Sequence, residues 1–300
     1  MTTMRIRDVD LNVKIIGHGY PLAMMHGGPS GDLYTLLSFR QCQDQFTLVF
    51  YDHRCNGRSM GVPVTSMTWE NLTADADALR ERLGFERWAV LGHSFGGNVA
   101  LEYALRYPSR VSNLVLLDTG AEGRWSLENA SKVLAERGYS ADIVDLAERW
   151  LNGEVPPKES FRTLMKLGKA YNPHSGIGLL ARMVLEGAWR SKLRPEALIF
   201  AAHHLLPGWT VIDRLGEIEV PTLVMAGKDD FIYPPEHQAE LAAHIPNSRL
   251  KLIERAGHNP HDERTPEVMK ELRAFIPADV GTRATSARRP RPQPTRDRGE

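Results

Sequence analysis

Cysteine is scarce in this chain. Cys42 and Cys55 are the only two in 300 residues, too few for a disulfide framework. That scarcity argues against a small stapled secreted domain and fits a reducing compartment. Long apolar runs are also missing. No stretch reaches about 18 apolar residues, so no membrane-spanning helix is expected. The opening residues, MTTMRIRDVDLNVKIIGHG, alternate and carry charge, and they lack the unbroken apolar core of a signal peptide. A cytoplasmic location is the expectation. Nor is there an excess of either charge. Lysine plus arginine number 37, and aspartate plus glutamate number 37. No global field therefore draws in nucleic acid or an acidic partner. No internal repeat is evident. What is present is a hydrophobic content of 42%, which can bury a large core. The length suits one large domain with an insertion, or two small ones.

Residues 4 to 16 alternate apolar and polar positions, as a half-buried antiparallel pair does. PLAMMHGG and FTLVFYD are short apolar runs ending in Gly or Asp, the pattern of buried parallel strands. TWENLTADADALRERLG places Trp69, Leu72, Ala76, Leu79 and Leu83 on one helical face, with Thr68 as the cap and Gly84 as the stop. RWAVLGH and NLVLLD read as two more strands around a helix from Phe95 to Tyr107, which Pro108 stops. This alternation predicts a parallel sheet covered on both faces. It lapses from residue 121 to about residue 210, where the chain is helix-like, charged and punctuated by NGEVPP, YNPHSG and LLPGW. It resumes at VPTLVMAGKDD and continues through a helix from Pro235 to Ile245, the strand SRLKLIERAGH, and a last helix TPEVMKELRAFIP with Thr265 as cap. The expected organisation is a core of residues 1–120 and 211–280, with residues 121–210 inserted as a helical lid over the sheet's C-terminal edge.

The segment LGHSFGGNVA sets Ser94 between Gly92 and Gly96, after a strand and before a helix. A serine in that context sits on a sharp turn that lifts its hydroxyl above the sheet, where it can act as a nucleophile. The helix N-terminus beneath it favours developing negative charge. Such a hydroxyl needs a base, and the base needs a carboxylate. Both lie downstream. MAGKDDFIYP exposes Asp229 and Asp230 at one strand end, and RAGHNPHDE exposes His258 at the next. Charge stabilisation has its own candidates. The loop His26–Gly31 can present the N–H groups of Gly27 and Gly28 to an oxyanion, and the Phe95 N–H is the second donor.

These motifs together resemble α/β-hydrolases of the proline iminopeptidase type. The resemblance rests on HGGP at 26–29, YDHRCNGRS at 51–59, GHSFGG at 92–97, GKDDFIYP at 227–234 and GHNPHDERTPE at 257–267. It covers nearly the whole chain except the tail and is weakest in the lid. It implies a mostly parallel eight-stranded sheet with helices on both faces and an inserted helical lid. The family pattern Gly-x-x-Asp-x-x-x-Pro maps the catalytic acid onto Asp230. The chain departs from the family at two places: Cys55 and Ser30 stand where the family usually has glycine.

The activity so implied is cofactor-independent hydrolysis of an amide or ester by Ser94, His258 and Asp230. Its expected form is an aminopeptidase releasing an N-terminal residue from a small or short-peptide substrate, with a carboxylesterase or lactonase as the alternative. An aminopeptidase needs a carboxylate for the free amine. The lid offers Glu122, Glu128, Glu154, Glu159 and Glu186, with Glu186 beside Trp189 as first choice. The family's Trp-x-x-Trp motif before that glutamate is absent, which is what keeps the ester reading open.

Other residues carry plainer readings. Asp118, closing VLLD, is a second candidate for the acid. His261, Asp262 and Glu263 lack a second histidine pair at ligand spacing, so no metal is expected. His26, His53 and His93 read as loop-holding residues, His203 and His204 as lid residues, and Arg54 and Arg58 as loop braces. Trp125, Trp150 and Trp209 read as lid core, with one or two of the lid tryptophans lining a pocket. A hydrolase fold kept as a ligand receptor is a rival that turnover of an ester panel would remove.

Residues 281–300 hold six arginines, two acids and three prolines with no apolar periodicity, which reads as a disordered basic tail. Basic charge without interleaved aromatics is a poor nucleic-acid surface. Ordering the tail would cost backbone entropy with no apolar face to bury. Truncation after Val280 is therefore expected to leave the thermal midpoint and kcat/KM unchanged. A clear drop in either would show that the tail docks on the body.

Overall fold

The computed structural model describes residues 1–176, 178, 181, 185 and 190–276. The tail therefore lies outside the described residues. Eight strands make one sheet: β1 Thr2–Ile6, β2 Val9–Ile16, β3 Tyr20–Met25, β4 Phe46–Tyr51, β5 Trp88–His93, β6 Val111–Leu117, β7 Thr222–Gly227 and β8 Ser248–Ile253. Their order is β1-β2-β4-β3-β5-β6-β7-β8. β1 and β2 form the antiparallel hairpin that the alternating N-terminus predicts, and β2 also runs antiparallel to β4. All other pairs are parallel. β3, β5 and β7 are buried along their whole length, as continuous apolar runs covered on both faces must be.

Among the described residues, the α-helices with defined bounds are α1 Trp69–Arg82, α2 Phe95–Arg106, α3 Gly123–Glu136, α4 Ala141–Leu151, α5 Ser160–Tyr171, α6 Pro195–Phe200, α7 Pro235–His244, α8 Pro260–Glu263 and α9 Thr265–Phe275. Thr68 caps α1, its hydroxyl accepting from the Asn71 N–H at 3.2 Å. Gly84 follows the helix with φ +77°. One boundary differs from the sequence reading. Arg264 holds the cap position of α9, and Thr265 is its first residue. The Thr265 hydroxyl donates back to the His261 carbonyl at 2.7 Å, because short α8 ends immediately before it and leaves that carbonyl open.

Successive strand residues face opposite layers. Val90 joins Leu72, Leu79 and Val99 in the layer under α1 and α2. Its neighbour Leu91 joins Leu36, Phe39 and Leu272 in the layer under α9. Between β6 and β7 the chain builds a third cluster from Leu134, Trp150, Leu167 and Leu198. Phe231, Ile232 and Tyr233, which follow β7, pack into that same cluster. The loop carrying Asp230 is thus shared between the sheet and the helices inserted after β6.

Arg54 braces the core from beneath. Its side chain is fully buried, with Nε 2.6 Å from Asp75 Oδ2 and Nη2 2.8 Å from Asp8 Oδ1. One guanidinium therefore ties the loop after β4 to α1 and to the N-terminal hairpin. Removing one partner of such a buried pair costs about 3–5 kcal/mol, because the other charge is stranded. Among the described residues no helix is long and apolar enough to cross a membrane.

Candidate active site

β5 ends at His93, and α2 begins at Phe95. Ser94 makes the turn alone, with φ 53° and ψ −124°. An L-residue held there stores roughly 1–3 kcal/mol of strain. The surroundings fix it. The Ser94 N–H donates to the Leu117 carbonyl at 2.9 Å, and the Ser94 carbonyl accepts from the Thr119 hydroxyl at 2.7 Å and from the Gly97 N–H at 2.8 Å. The flanking glycines are steric necessities. A Cβ on Gly92 would overlap the Gly96 carbonyl, and one on Gly96 would overlap the Met25 carbonyl.

The loops after β7 and β8 bring two more side chains to this turn. His258 Nε2 lies 2.9 Å from Ser94 Oγ. His258 Nδ1 lies 2.9 Å from Asp230 Oδ2. Asp230 is fully buried, and its Oδ1 accepts the Ile232 N–H at 2.8 Å. The His258 ring therefore bridges the serine hydroxyl and the carboxylate, one ring nitrogen to each. The neighbouring Asp229 points elsewhere, to His174 Nε2 at 2.6 Å. Asp118, the other candidate acid, is also fully buried, and its Oδ1 accepts the Gly227 N–H at 2.8 Å. It lies beside Asp230: one oxygen of each carboxyl and a ring nitrogen of His258 all fall within 4.8 Å of one another.

The strand order reverses direction around β3, which has β4 on one side and β5 on the other. Ligand crevices form at such a reversal, beyond the C-terminal strand ends. Here the Gly27–Gly28 loop after β3 meets the Ser94–Phe95 turn after β5. A Cβ on Gly27 would come within 2.6 Å of His93 Nδ1. Phe95 is the first residue of α2, so its N–H has no intrahelical acceptor. The histidines around the turn hold loops. His26 Nε2 accepts the His53 N–H at 3.1 Å, and His93 Nε2 meets the His258 carbonyl at 2.8 Å. Burial holds His53 and His93 well below the usual histidine range, so both are neutral at pH 7. His261 is lowered for the same reason. Its Nε2 meets the Thr35 carbonyl at 3.0 Å, while Glu263 accepts the Gly257 N–H at 2.6 Å.

Aromatic rings surround the turn. The Trp69 ring packs tilted against Trp209 at 4.7 Å and against Phe95 at 5.8 Å. Tyr171 and Tyr233 lie 5.6 Å and 6.4 Å from the His258 ring. Sequence reasoning missed the positions of Thr119, Tyr171 and Tyr233, since nothing in their spacing ties them to Ser94. Trp69 was legible only as part of an apolar helix face. Of the acids that the sequence offers for an amine, Glu186 lies outside the described residues, as does Trp189. Glu128 is exposed and paired with Arg124. Glu154 and Glu159 are exposed, and Glu122 is half-buried. Trp150 packs in the third cluster. Trp125 Nε1 donates to the Ile232 carbonyl at 3.1 Å, and Trp209 Nε1 donates to Glu102 at 2.8 Å. His203 and His204 are exposed.

The family profile of the alpha/beta hydrolase fold matches residues 16–265. The chain belongs to that family. It is a hydrolase, and its relatives carry several chemistries. A proline iminopeptidase of Xylella fastidiosa is 28% identical over 268 residues, covering 81% of this chain and 84% of that one. A 2-hydroxy-6-oxononadienedioate/2-hydroxy-6-oxononatrienedioate hydrolase of Comamonas testosteroni is 30% identical over 261 residues, covering 83% of this chain and 84% of its own. Among solved structures, an esterase from Exiguobacterium antarcticum superposes with a TM-score of 0.74 at 22% identity, over 91% of this chain and 98% of that one.

The two departures from family glycines have a visible consequence. Ser30 has φ 130°, and Cys55 has φ 64°. Both adopt backbone that glycine enters freely and other residues enter at a cost. Cys55→Gly in this hydrolase is expected to raise stability by about 0.5–1 kcal/mol, read from the urea midpoint. A lowered midpoint would mean that the contact of the Cys55 thiol with the Pro63 carbonyl at 3.4 Å outweighs the backbone strain.

Proposed function

We propose that this hydrolase works through Ser94, His258 and Asp230, and that it acts as an aminopeptidase of the proline iminopeptidase type. The observation that carries the mechanism is the unbroken relay of two 2.9 Å contacts from Ser94 Oγ through His258 to Asp230. Ser94 Oγ attacks the substrate carbonyl as His258 Nε2 takes its proton. Asp230 holds the imidazole in the required tautomer and stabilises the imidazolium. The N–H groups of Gly27 or Gly28 and of Phe95 receive the oxyanion. His258 then protonates the leaving group, and water releases the acyl group by the same steps in reverse roles. The helices between β6 and β7 serve as a lid. The aromatic rings of Trp69, Phe95, Trp209, Tyr171 and Tyr233 give the site apolar walls suited to a small ring or chain.

The substrate class is supported by the proline iminopeptidase relative, which covers 81% of this chain. A second reading, a carboxylesterase or lactonase, is favoured by the placement of the lid acids. Glu154 and Glu159 face solvent, and Glu128 is spent on Arg124.

Ser94→Ala is expected to fold and to lose about 10⁶ in kcat, with His258→Ala losing a similar factor, because the members act as a unit. Asp230→Asn should lose about 10⁴. Retention of near-native turnover in Ser94→Ala would sink the mechanism. The substrate test pairs prolyl β-naphthylamide with its N-acetylated form, beside p-nitrophenyl butyrate. Preference for the free amine supports the peptidase. Fast butyrate cleavage with no turnover of either amide leaves the esterase or lactonase.

A further inference from the structure

Two carboxyl groups share the floor of this site, and the mechanism above uses one of them. Asp118 closes β6 with φ 46°, a conformation that aspartate tolerates better than most residues. Its N–H donates to the Met225 carbonyl at 3.0 Å, which fixes the backbone to β7. Its side chain is fully buried. Oδ1 is satisfied by the Gly227 N–H at 2.8 Å, but Oδ2 is buried and finds no donor among the described residues. Asp230 is equally buried, and one oxygen of its carboxyl lies within 4.8 Å of one oxygen of Asp118.

Two ionised carboxylates this close in a buried site repel strongly, which favours a proton on one of them. The local donors decide which. Asp230 receives the Ile232 N–H and the His258 ring, both of which favour its charged form. Asp118 receives a single N–H. From this geometry we infer that Asp118 is a neutral carboxylic acid that donates its proton to Asp230, making it a positioning residue for the Asp230–His258 pair. A proton on Oδ2 turns an orphaned buried acceptor into a donor with an acceptor beside it, and removes the charge repulsion in one step.

The remaining charges nearby point the same way. Burial raises the Asp118 carboxyl well above the usual carboxylate range, and the charge of Asp230 adds to this. Glu263, reaching in from α8, contributes further negative charge. His258 is the one cation-forming side chain in the cluster, and it is committed to Asp230. The hydrogen bonds of Arg137 go to the backbone carbonyls of Asp229 and Asp230.

The neutral acid has two effects. It adds a third partner to the Asp230 carboxylate beside the Ile232 N–H and the His258 ring, which helps to keep Oδ2 aimed at His258. It also draws charge from Asp230, which moderates how strongly that carboxylate raises the basicity of the imidazole. The kinetic part of this inference rests on the serine mechanism proposed above. Asp118→Asn keeps a donor toward Asp230 and an acceptor for Gly227, so kcat and the acid limb of the kcat/KM profile should stay close to native. Asp118→Ala removes the donor. Its kcat should fall by about tenfold or more with KM little changed, and its acid limb should move to higher pH, because a bond to a charged group is lost.

The direct test is infrared difference spectroscopy of the wild-type protein at neutral pH, with deuterium exchange. A protonated-carboxyl C=O band that is lost in Asp118→Asn is the expected result. Absence of that band, native kcat and limb in Asp118→Ala, or an acid limb that falls in Asp118→Asn as removal of a buried negative charge would dictate, each overturns the inference. The infrared measurement needs no turnover. Failure of the serine mechanism would appear separately, as activity surviving in Ser94→Ala.

Discussion

Ser94 occupies a backbone conformation that no flexible loop would hold, and the arrangement of this hydrolase follows from holding it. The strain at φ 53° persists because the turn is bonded on both sides, to the Leu117 carbonyl of β6 and to the Thr119 hydroxyl just beyond it. Those bonds require β5 and β6 to be parallel neighbours with their C-terminal ends level. They also require α2 to start at once, so Gly92 and Gly96 carry no side chain where strand and helix meet. The parallel sheet, the tight turn and the placement of the Ser94 hydroxyl are therefore one constraint seen at three scales.

His258, with Asp230 behind it, reaches that hydroxyl from loops that the inserted helices help to hold. The His258 N–H donates to the Tyr171 carbonyl at the end of α5, at 2.9 Å. Arg137, at the end of α3, donates to the carbonyls of Asp229 and Asp230. Phe231, Ile232 and Tyr233 bury themselves in the core of the inserted helices. Each contact ties the segment between β6 and β7 to a residue adjoining the Ser94 relay. A displacement of these helices would therefore be felt at the imidazole and the carboxylate, even without touching substrate.

Much of this was legible in the sequence, for a physical reason. Buried parallel strands read as short unbroken apolar runs and amphipathic helices carry a period of their own, so the alternation of elements from Tyr20 to Leu117 read correctly without spatial knowledge. The turn at Ser94 was legible because glycine spacing and a following helix leave few alternatives. What stayed hidden is set by contacts between distant positions. Arg54 read as a loop brace, but nothing in the sequence marked Asp75 as its buried partner. Asp118 and Asp230 read as competitors for one role, and only their shared burial reveals them as neighbours. The cap of α9 was misplaced by one residue because α8, too short to show a period, ends directly before it.

The central claim is that Ser94 is the nucleophile, raised to attack by His258. It is tested most directly by reacting the protein with a fluorophosphonate and locating the adduct by peptide mass mapping. The account predicts one adduct per chain, on the peptide containing Ser94, formed rapidly in wild type and not in His258→Ala. An adduct on another serine or on Cys55, or equal labelling in the His258→Ala protein, would contradict it.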